Sequence, residues 1–150
     1  MTGIDLKSSA FDDHETIPRR HAMEGDNVSP PLTWSGVPDE AVELALLCED
    51  PDAPSGTFVH WLVTGIDPRT EGLPTGWAAP GGHPHTNGYG QWGWGGPQPP
   101  AGDRAHRYFF RLYALPGHVS IPEAATADEA HRVLDQQQLA SGTLVGLYQR

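Results

Sequence analysis

Four polar side chains stand at the ends of otherwise apolar stretches and could together hold an anion: Asp50, His60, His106 and Tyr108. An imidazole donates hydrogen bonds to an anionic oxygen near neutral pH, and a phenol hydroxyl does so without carrying charge. Asp50 would repel a phosphate unless a histidine is protonated, Asp50 itself takes a proton, or the ligand carries an ammonium or hydroxyl donor. The residue types therefore predict a small oxyanion pocket, suited also to a zwitterionic head group such as phosphoethanolamine.

Residues 42–63 position the first two of these groups. Apolar residues occupy every second position in the first part of this segment, as on one face of a β-strand. Continuing this alternation places Asp50 on the same face, at the end of the strand. The same period in the second run groups His60 with Phe58, Leu62 and Thr64. The segment 51–56 is rich in Pro and Gly and must turn, so we expect Asp50 and His60 to meet across it. Asp52 is expected to accept from backbone donors inside the turn.

The stretch His106 to Leu115 positions the other two groups. Strict alternation predicts a strand that has His106 and Tyr108 on one face at its beginning. The two side chains can then line one pocket. A plainer alternative stays open from this strand alone, in which His106 binds a turn and Tyr108 is a core residue with a hydrated hydroxyl.

The composition favours a single all-β domain covering residues 1–150. Eighteen glycines and 15 prolines, together with short apolar runs, indicate many turns between short strands. One helix is predicted over Thr126 to Ala140, where Thr126 and Glu129 have the spacing of a capping box and Gly142 is expected to end the helix. Residues 143–148 are predicted to form a final strand.

The charge of the chain limits its partners. Nine basic and 19 acidic residues give a formal net charge of -10, which disfavours binding to nucleic acid or to an anionic membrane surface. No stretch resembles a signal peptide or a membrane span, so a cytoplasmic protein without integral membrane association is expected. Cys48, the sole cysteine, falls in an apolar strand and is predicted to be a core residue rather than a nucleophile.

Nearly forty residues after Ile66 show no clear periodicity. Four large aromatic residues lie in this segment: Trp77, Tyr89, Trp92 and Trp94. Exposing all of them would be costly, so the segment is expected to pack on the sheets and to wall a cavity. Its glycines lack the lysine and the strand-to-helix context of a phosphate-binding loop.

The remaining histidines predict no metal site. His83 and His85 form the best pair, but a metal needs three or four convergent ligands and the sequence fixes no third one nearby. His14 and His21 lie in a polar segment and are interpreted as solvated side chains.

Three segments resemble the phosphatidylethanolamine-binding protein family, which includes small bacterial and archaeal proteins similar to Raf kinase inhibitor proteins. They are NVSPPLTWSGVP at 27–38, DPDAP at 50–54 with FVHWLV at 58–63, and GPQPPAGDRAHRYFFRLYAL at 96–115. The resemblance implies an antiparallel, Greek-key-like β-sandwich without cofactor or metal, and bacterial relatives often form homodimers. It maps the family's anion pocket onto Asp50, Pro54, Phe58, His60, Pro100, His106 and Tyr108, with Phe58 where larger members often have tryptophan.

The sequence therefore predicts a non-catalytic protein that binds a small phosphorylated or carboxylate ligand. One alternative is an inhibitor of a protease or kinase that acts through the aromatic loop at 77–100. Another is a small hydrolase with His60 as base, although neither Ser35 nor Ser55 has the glycine-flanked context of a nucleophile. Gln98 and Trp94 depart from the residues common in bacterial relatives, and Ala53 to Pro54 is a candidate cis peptide.

Overall fold

The computed structural model describes residues 3–77 and 81–150 and shows two β-sheets and one α-helix. Nine strands and the helix follow in chain order: β1 Asp5–Lys7, β2 Glu15–Thr16, β3 Leu32–Ser35, β4 Glu43–Asp50, β5 Phe58–Ile66, β6 Gly72–Leu73, β7 His83–Pro84, β8 His106–Leu115, α1 Ala127–Gln137 and β9 Ala140–Tyr148. A short 3-10 turn covers Arg19–His21. The predicted mainly β architecture is confirmed.

The larger sheet has six strands in the order β2-β9-β8-β4-β5-β7, and the smaller sheet has the order β1-β3-β6. Neighbouring strands are antiparallel except β2 and β9, which pair in parallel. All eight residues of β4 are buried, because β4 lies inside the larger sheet and is covered on both faces. β1 forms one edge of the smaller sheet.

Two apolar layers cover the two faces of the larger sheet. The layer between the sheets contains Cys48, Trp61 and Phe110 together with Leu32 and Trp34 of β3. The second layer lies beneath α1, and its main members are Ala45, Leu47, Leu62, Ala130 and Leu134. Cys48 is fully buried, as predicted, and burial raises the pKa of its thiol, further raised by the charges of Glu49 and Asp50.

Because β5 contains a β-bulge, some of its side chains lie on a different face of the sheet than the sequence predicted. Cys48 pairs with Trp61 and Glu49 pairs with Val59, so His60 is an extra residue on β5. Beyond this point the alternation is shifted by one, and Leu62 packs under α1 while Trp61 and Val63 face the smaller sheet. The prediction that His60 and Leu62 share a face was therefore wrong, because a bulge re-aims the strand.

The predicted helix is present but shorter than expected. Thr126 caps it, accepting from the backbone N–H of Glu129, whose side chain accepts from the N–H of Thr126 in return. The helix ends at Gln137, and Gly142 lies inside β9 rather than at a helix end. A Cβ at Gly142 would lie 2.2 Å from the backbone oxygen of Ile4, so close packing of β1 on β9 requires the glycine.

The aromatic loop packs largely as predicted. Trp94 stacks on Phe110 with ring centroids 5.9 Å apart, and its indole N–H donates to His21 O. Trp92 is the exception, with 77% of its surface exposed. His21 is buried, contrary to its prediction as a solvated side chain, because its Nδ1 bonds to the oxygen of Val28 at 2.8 Å.

No helix in the described part of the chain is long and apolar enough to cross a lipid bilayer.

Candidate functional site

A cavity of about 260 Å³ lies where β4 ends and where β5 and β8 begin. All seven residues predicted for the ligand site line it, namely Asp50, Pro54, Phe58, His60, Pro100, His106 and Tyr108. The strand order brings them together, because β4 lies between β8 and β5 and runs antiparallel to both. The end of β4 therefore meets the beginnings of its two neighbours.

Asp50 pairs with His106 across neighbouring strands. His106 Nδ1 lies 2.7 Å from Asp50 Oδ2, and both side chains are almost completely buried. Asp50 Oδ1 accepts from the backbone N–H of Asp52 at 2.7 Å. Asp50 and His60 come together at the cavity as expected from the turn between them, but the hydrogen bond of the Asp50 carboxylate to an imidazole is made with His106.

His106 contacts a second carboxylate. Its Nε2 lies 3.2 Å from Asp103 Oδ2, and the Asp103 side chain is about half exposed on the loop before β8. Burial alone would lower the pKa of His106, but the hydrogen bonds and charges of Asp50 and Asp103 outweigh it and raise that pKa. A carboxylate at each ring nitrogen thus favours the imidazolium form of His106.

His60 is neutral by contrast. Its Nδ1 donates to the carbonyl oxygen of Gly95 at 2.6 Å, and Gly95 N donates back to His60 O at 2.9 Å. Desolvation lowers the pKa of His60 because the ring is buried beside Phe58 and Tyr108, with centroids 4.8 and 5.1 Å away. With Nδ1 carrying the proton, Nε2 holds the lone pair of the ring. The aromatic loop thus fixes the tautomer of the bulged histidine.

Tyr108 lines the cavity and carries a buried hydroxyl without a protein partner among the described residues. Its hydroxyl is buried and makes no hydrogen bond to any part of the chain that the structure describes. Burial, and next the charge of Asp50, raise the pKa of this phenol, so the hydroxyl stays protonated and able to donate. Most buried polar atoms have partners, so an unpaired hydroxyl in a cavity marks a place for a ligand or water.

Asp52 acts outside its own turn. Its carboxylate accepts from the backbone N–H of Arg107 at 2.9 Å and from the Arg107 guanidinium at 3.0 and 2.8 Å. The predicted role inside the turn belongs to Asp50, which accepts from the N–H of Asp52. The Ala53 to Pro54 bond is trans, because the described residues contain no cis peptide bond. That prediction was wrong.

Tyr89, one of the aromatic residues expected to wall a cavity, does line this one, and sequence reasoning missed two further residues of the region, Gln98 and Asp103. Tyr89 packs its ring 4.7 Å from Phe58, and its hydroxyl donates to Gly96 O at 2.8 Å. Gln98, noted only as a departure, lines the cavity. Asp103 was not singled out, although its place three residues before His106 could have suggested a contact with the ring.

No hydrogen bond joins Ser55, which also lines the cavity, to either histidine in the described part of the chain. Both nitrogens of His106 are bonded to carboxylates, whereas His60 Nε2 is left without a partner among the described residues. A serine nucleophile needs a base within hydrogen-bond reach. The arrangement offers instead one cationic donor, one neutral hydroxyl donor and one imidazole lone pair.

Away from the cavity, the structure supplies the third ligand that the sequence lacked for the His83 and His85 pair. One ligand atom from each histidine and from Glu123 lie within 4.8 Å of one another. Glu123 is forty residues from His83, and no local spacing could have indicated it.

Comparisons with known proteins agree with the fold and with the motifs. The family model described as "Phosphatidylethanolamine-binding protein" matches residues 7–149. A UPF0098 protein from Methanothermobacter thermautotrophicus is 42% identical over 154 residues, covering 98% of this chain and 99% of that protein.

Two solved structures are similar: CT736 from Chlamydia trachomatis, described as a homologue of these proteins, and YbcL from E. coli, described as a new member of the mammalian family. CT736 is 34% identical, with a TM-score of 0.88 and coverage of 100% and 99%. YbcL is 28% identical, with a TM-score of 0.89 and coverage of 98% of each chain.

Proposed function

The chain belongs to the phosphatidylethanolamine-binding protein family, and from this premise we propose that its cavity binds a small ligand through a phosphoryl or carboxylate group, without catalysis. The observation that carries the proposal is the unpaired, buried hydroxyl of Tyr108. Leaving a buried polar group unsatisfied costs about 1–3 kcal/mol, and an anionic oxygen in the cavity would remove that cost.

The charges around the cavity define how an anion enters. His106 supplies the positive charge, but Asp50 and Asp103 occupy both of its nitrogens. Asp50 is buried, whereas Asp103 is about half exposed and bonds at the longer distance. A ligand oxygen therefore takes the place of Asp103 at His106 Nε2, while Asp50 remains. An ammonium group on the ligand would offset the charge of Asp50, which favours a zwitterionic head group.

The experiment compares Tyr108→Phe with the wild type by calorimetric titration of inorganic phosphate and of phosphoethanolamine. Loss of the hydroxyl is expected to weaken binding by about fivefold to twentyfold, corresponding to about 1–2 kcal/mol. Stability in urea should not fall, because the hydroxyl has no partner in the ligand-free protein. Unchanged affinity for both ligands would remove the proposal.

A matched control is Tyr113→Phe. Tyr113 lies on the same strand, but its hydroxyl donates to Asp135 near α1 at 3.2 Å, away from the cavity. This variant should bind phosphate like the wild type and lose some stability. Turnover of an ester or phosphoester panel that disappears in His60→Ala would support the hydrolase instead.

A second function, inhibition of a protease or kinase, is favoured by one observation. Trp92 projects from the aromatic loop with 77% of its surface exposed, and tryptophan is a frequent anchor of protein interfaces. The test is inhibition of a panel of proteases and kinases by the wild type and by Trp92→Ser. Inhibition that Trp92→Ser abolishes, while phosphate binding stays unchanged, would support this function.

A further inference from the structure

We propose that His83, His85 and Glu123 form a binding site for a transition-metal dication, separate from the cavity. His83 belongs to β7, His85 follows directly after that strand, and Glu123 lies in the segment preceding α1; one ligand atom of each lies within 4.8 Å of the others. In zinc sites, ligand atoms at about 2.0–2.2 Å from the metal lie about 3.3–3.6 Å apart, so small side-chain movements complete the arrangement.

The two histidines face the same side because they are two residues apart on an extended edge. Thr64 of β5 pairs directly with His83, and the N–H of His85 donates to Leu62 O at 2.8 Å. Leu62 belongs to the layer beneath α1. Alternation along the strand therefore directs both imidazoles towards the segment from which α1 begins. Their rings lie at 82° with centroids 4.9 Å apart.

Glu123 is held opposite the histidines by the backbone. The N–H of Thr86 donates to Glu123 O at 2.9 Å, and His83 Nε2 lies 2.7 Å from Glu123 Oε2. An exposed histidine and glutamate alone would be an ordinary surface pair. The buried ring of His85 beside them distinguishes this cluster from such a pair.

The ring of His85 is oriented as in known metal sites. His85 Nδ1 lies 3.0 Å from Pro122 O, which only accepts, so Nδ1 carries the proton and Nε2 accepts from the Thr64 hydroxyl at 2.9 Å. Metal-binding histidines usually donate their second nitrogen to a carbonyl or carboxylate in this way. The Nε2 lone pair becomes available to a metal when the Thr64 hydroxyl rotates away.

The donor set selects the class of metal. Two imidazoles and one carboxylate suit zinc and neighbouring first-row dications, whereas calcium and magnesium require mostly oxygen ligands. The net charge of -10 also favours a cation over an anion here. Three protein ligands leave a coordination position for water. The bound metal would fasten the β7 edge of the larger sheet to the segment that leads into α1.

The experiment titrates Zn²⁺ into the untagged, full-length protein by calorimetry in a non-chelating buffer, with Co²⁺ absorption as a second readout of coordination. His83→Gln and Glu123→Gln change exposed side chains and should leave the fold intact. Each variant is expected to weaken Zn²⁺ binding at least about tenfold. Mutating a residue that only hydrogen-bonds to a metal ligand already lowers metal affinity by about 10–100-fold. Zn²⁺ should raise the melting temperature of the wild type more than that of either variant.

The matched control is His14→Asn, because His14 and Asp13 form another exposed histidine and carboxylate pair, with 3.0 Å between Nδ1 and Oδ2. This variant should bind Zn²⁺ like the wild type. Zn²⁺ binding that is unchanged in His83→Gln and Glu123→Gln would overturn the site, and so would Mg²⁺ binding of equal strength. Phosphate titration of the same variants should give wild-type affinity, which separates this result from the cavity proposal.

Discussion

Asp103 is the residue that we expect to limit anion binding at the proposed site. His106 lies between the carboxyl groups of Asp50 and Asp103, each of which contacts one of its ring nitrogens. Asp103 is the weaker and more exposed partner, at 3.2 Å from Nε2. It therefore competes with the ligand for the imidazolium.

Replacing Asp103 with asparagine is expected to strengthen phosphate binding by about twofold to fivefold, since an exposed pair contributes up to about 1 kcal/mol. The measurement is calorimetric titration of inorganic phosphate. Asp5→Asn is the control, because it removes the same charge at an exposed position outside the cavity. If Asp103→Asn weakens binding, or if the control gains equally, Asp103 does not occupy the ligand position.

We expect His60 to set the pH dependence of the proposed anion binding. Burial lowers its pKa, so at neutral pH its Nε2 is unprotonated and cannot donate to an anion. His106, whose pKa is raised, takes up its proton at a higher pH than an ordinary histidine, so its contribution lies above that of His60 on the pH scale. Binding of sulfate, which does not titrate in this range, should strengthen as pH falls below about 6.5. His60→Gln should flatten this dependence, and a wild-type affinity that is flat from about pH 5 to 8 would show that His60 takes up no proton.

The elements around the cavity were predictable to different degrees. Strict alternation along His106–Leu115 predicted β8 with the bounds that the structure has. The bulge at His60 left no sign in the sequence, because it depends on the register of β5 against β4. The capping box located the beginning of α1, but Gly142 was misread, since its close contact with the backbone of Ile4 is visible only in three dimensions.

A partly buried pair of His131 and Glu49 joins helix α1 to the larger sheet, and its strength is expected to depend on pH. His131 Nε2 lies 2.6 Å from Glu49 Oε2, and the bond to Glu49 raises the pKa of His131. Because the pKa of His131 is higher in the folded protein than in the unfolded chain, the pair stabilises the fold fully at pH values below the unfolded-state pKa of about 6.5. This stabilisation is lost as the pH rises through the folded-state pKa.

His131→Gln is therefore expected to lower the free energy of unfolding by about 1–2 kcal/mol at acidic pH, and by less in alkaline solution. Urea unfolding at about pH 6 and pH 9 measures both values, on either side of the ordinary histidine pKa. His14→Asn, which removes an exposed histidine, should change little. An equal loss at both pH values would show that packing, rather than the charge of His131, holds the helix.

At the scale of the whole molecule, the sequence predicted the cavity residues better than their contacts. Strand ends and motif resemblance named seven residues that all line the cavity. Which carboxylate meets which histidine depends on strand order, and β4 meets β8 as well as β5. Contacts between distant loops, such as Glu123 with His83, follow from how the segment before α1 crosses the sheet edge, and no periodicity encodes them.

The net charge of -10 repels any free anion, so the cavity must work against the field of its own protein. Salt screens this long-range repulsion far more than it screens the short contacts to His106 and Tyr108, since the Debye length falls from about 30 Å at 0.01 M to about 8 Å at 0.15 M. Phosphate affinity should therefore rise by about threefold over this range, opposite to the usual loss for anion sites on basic proteins.

Calorimetric titration at the two salt concentrations measures the change. Phosphoethanolamine, whose ammonium offsets part of its charge, should show a shallower rise. A fall in phosphate affinity would mean that local positive charge, rather than the whole-protein field, governs how the anion reaches the cavity.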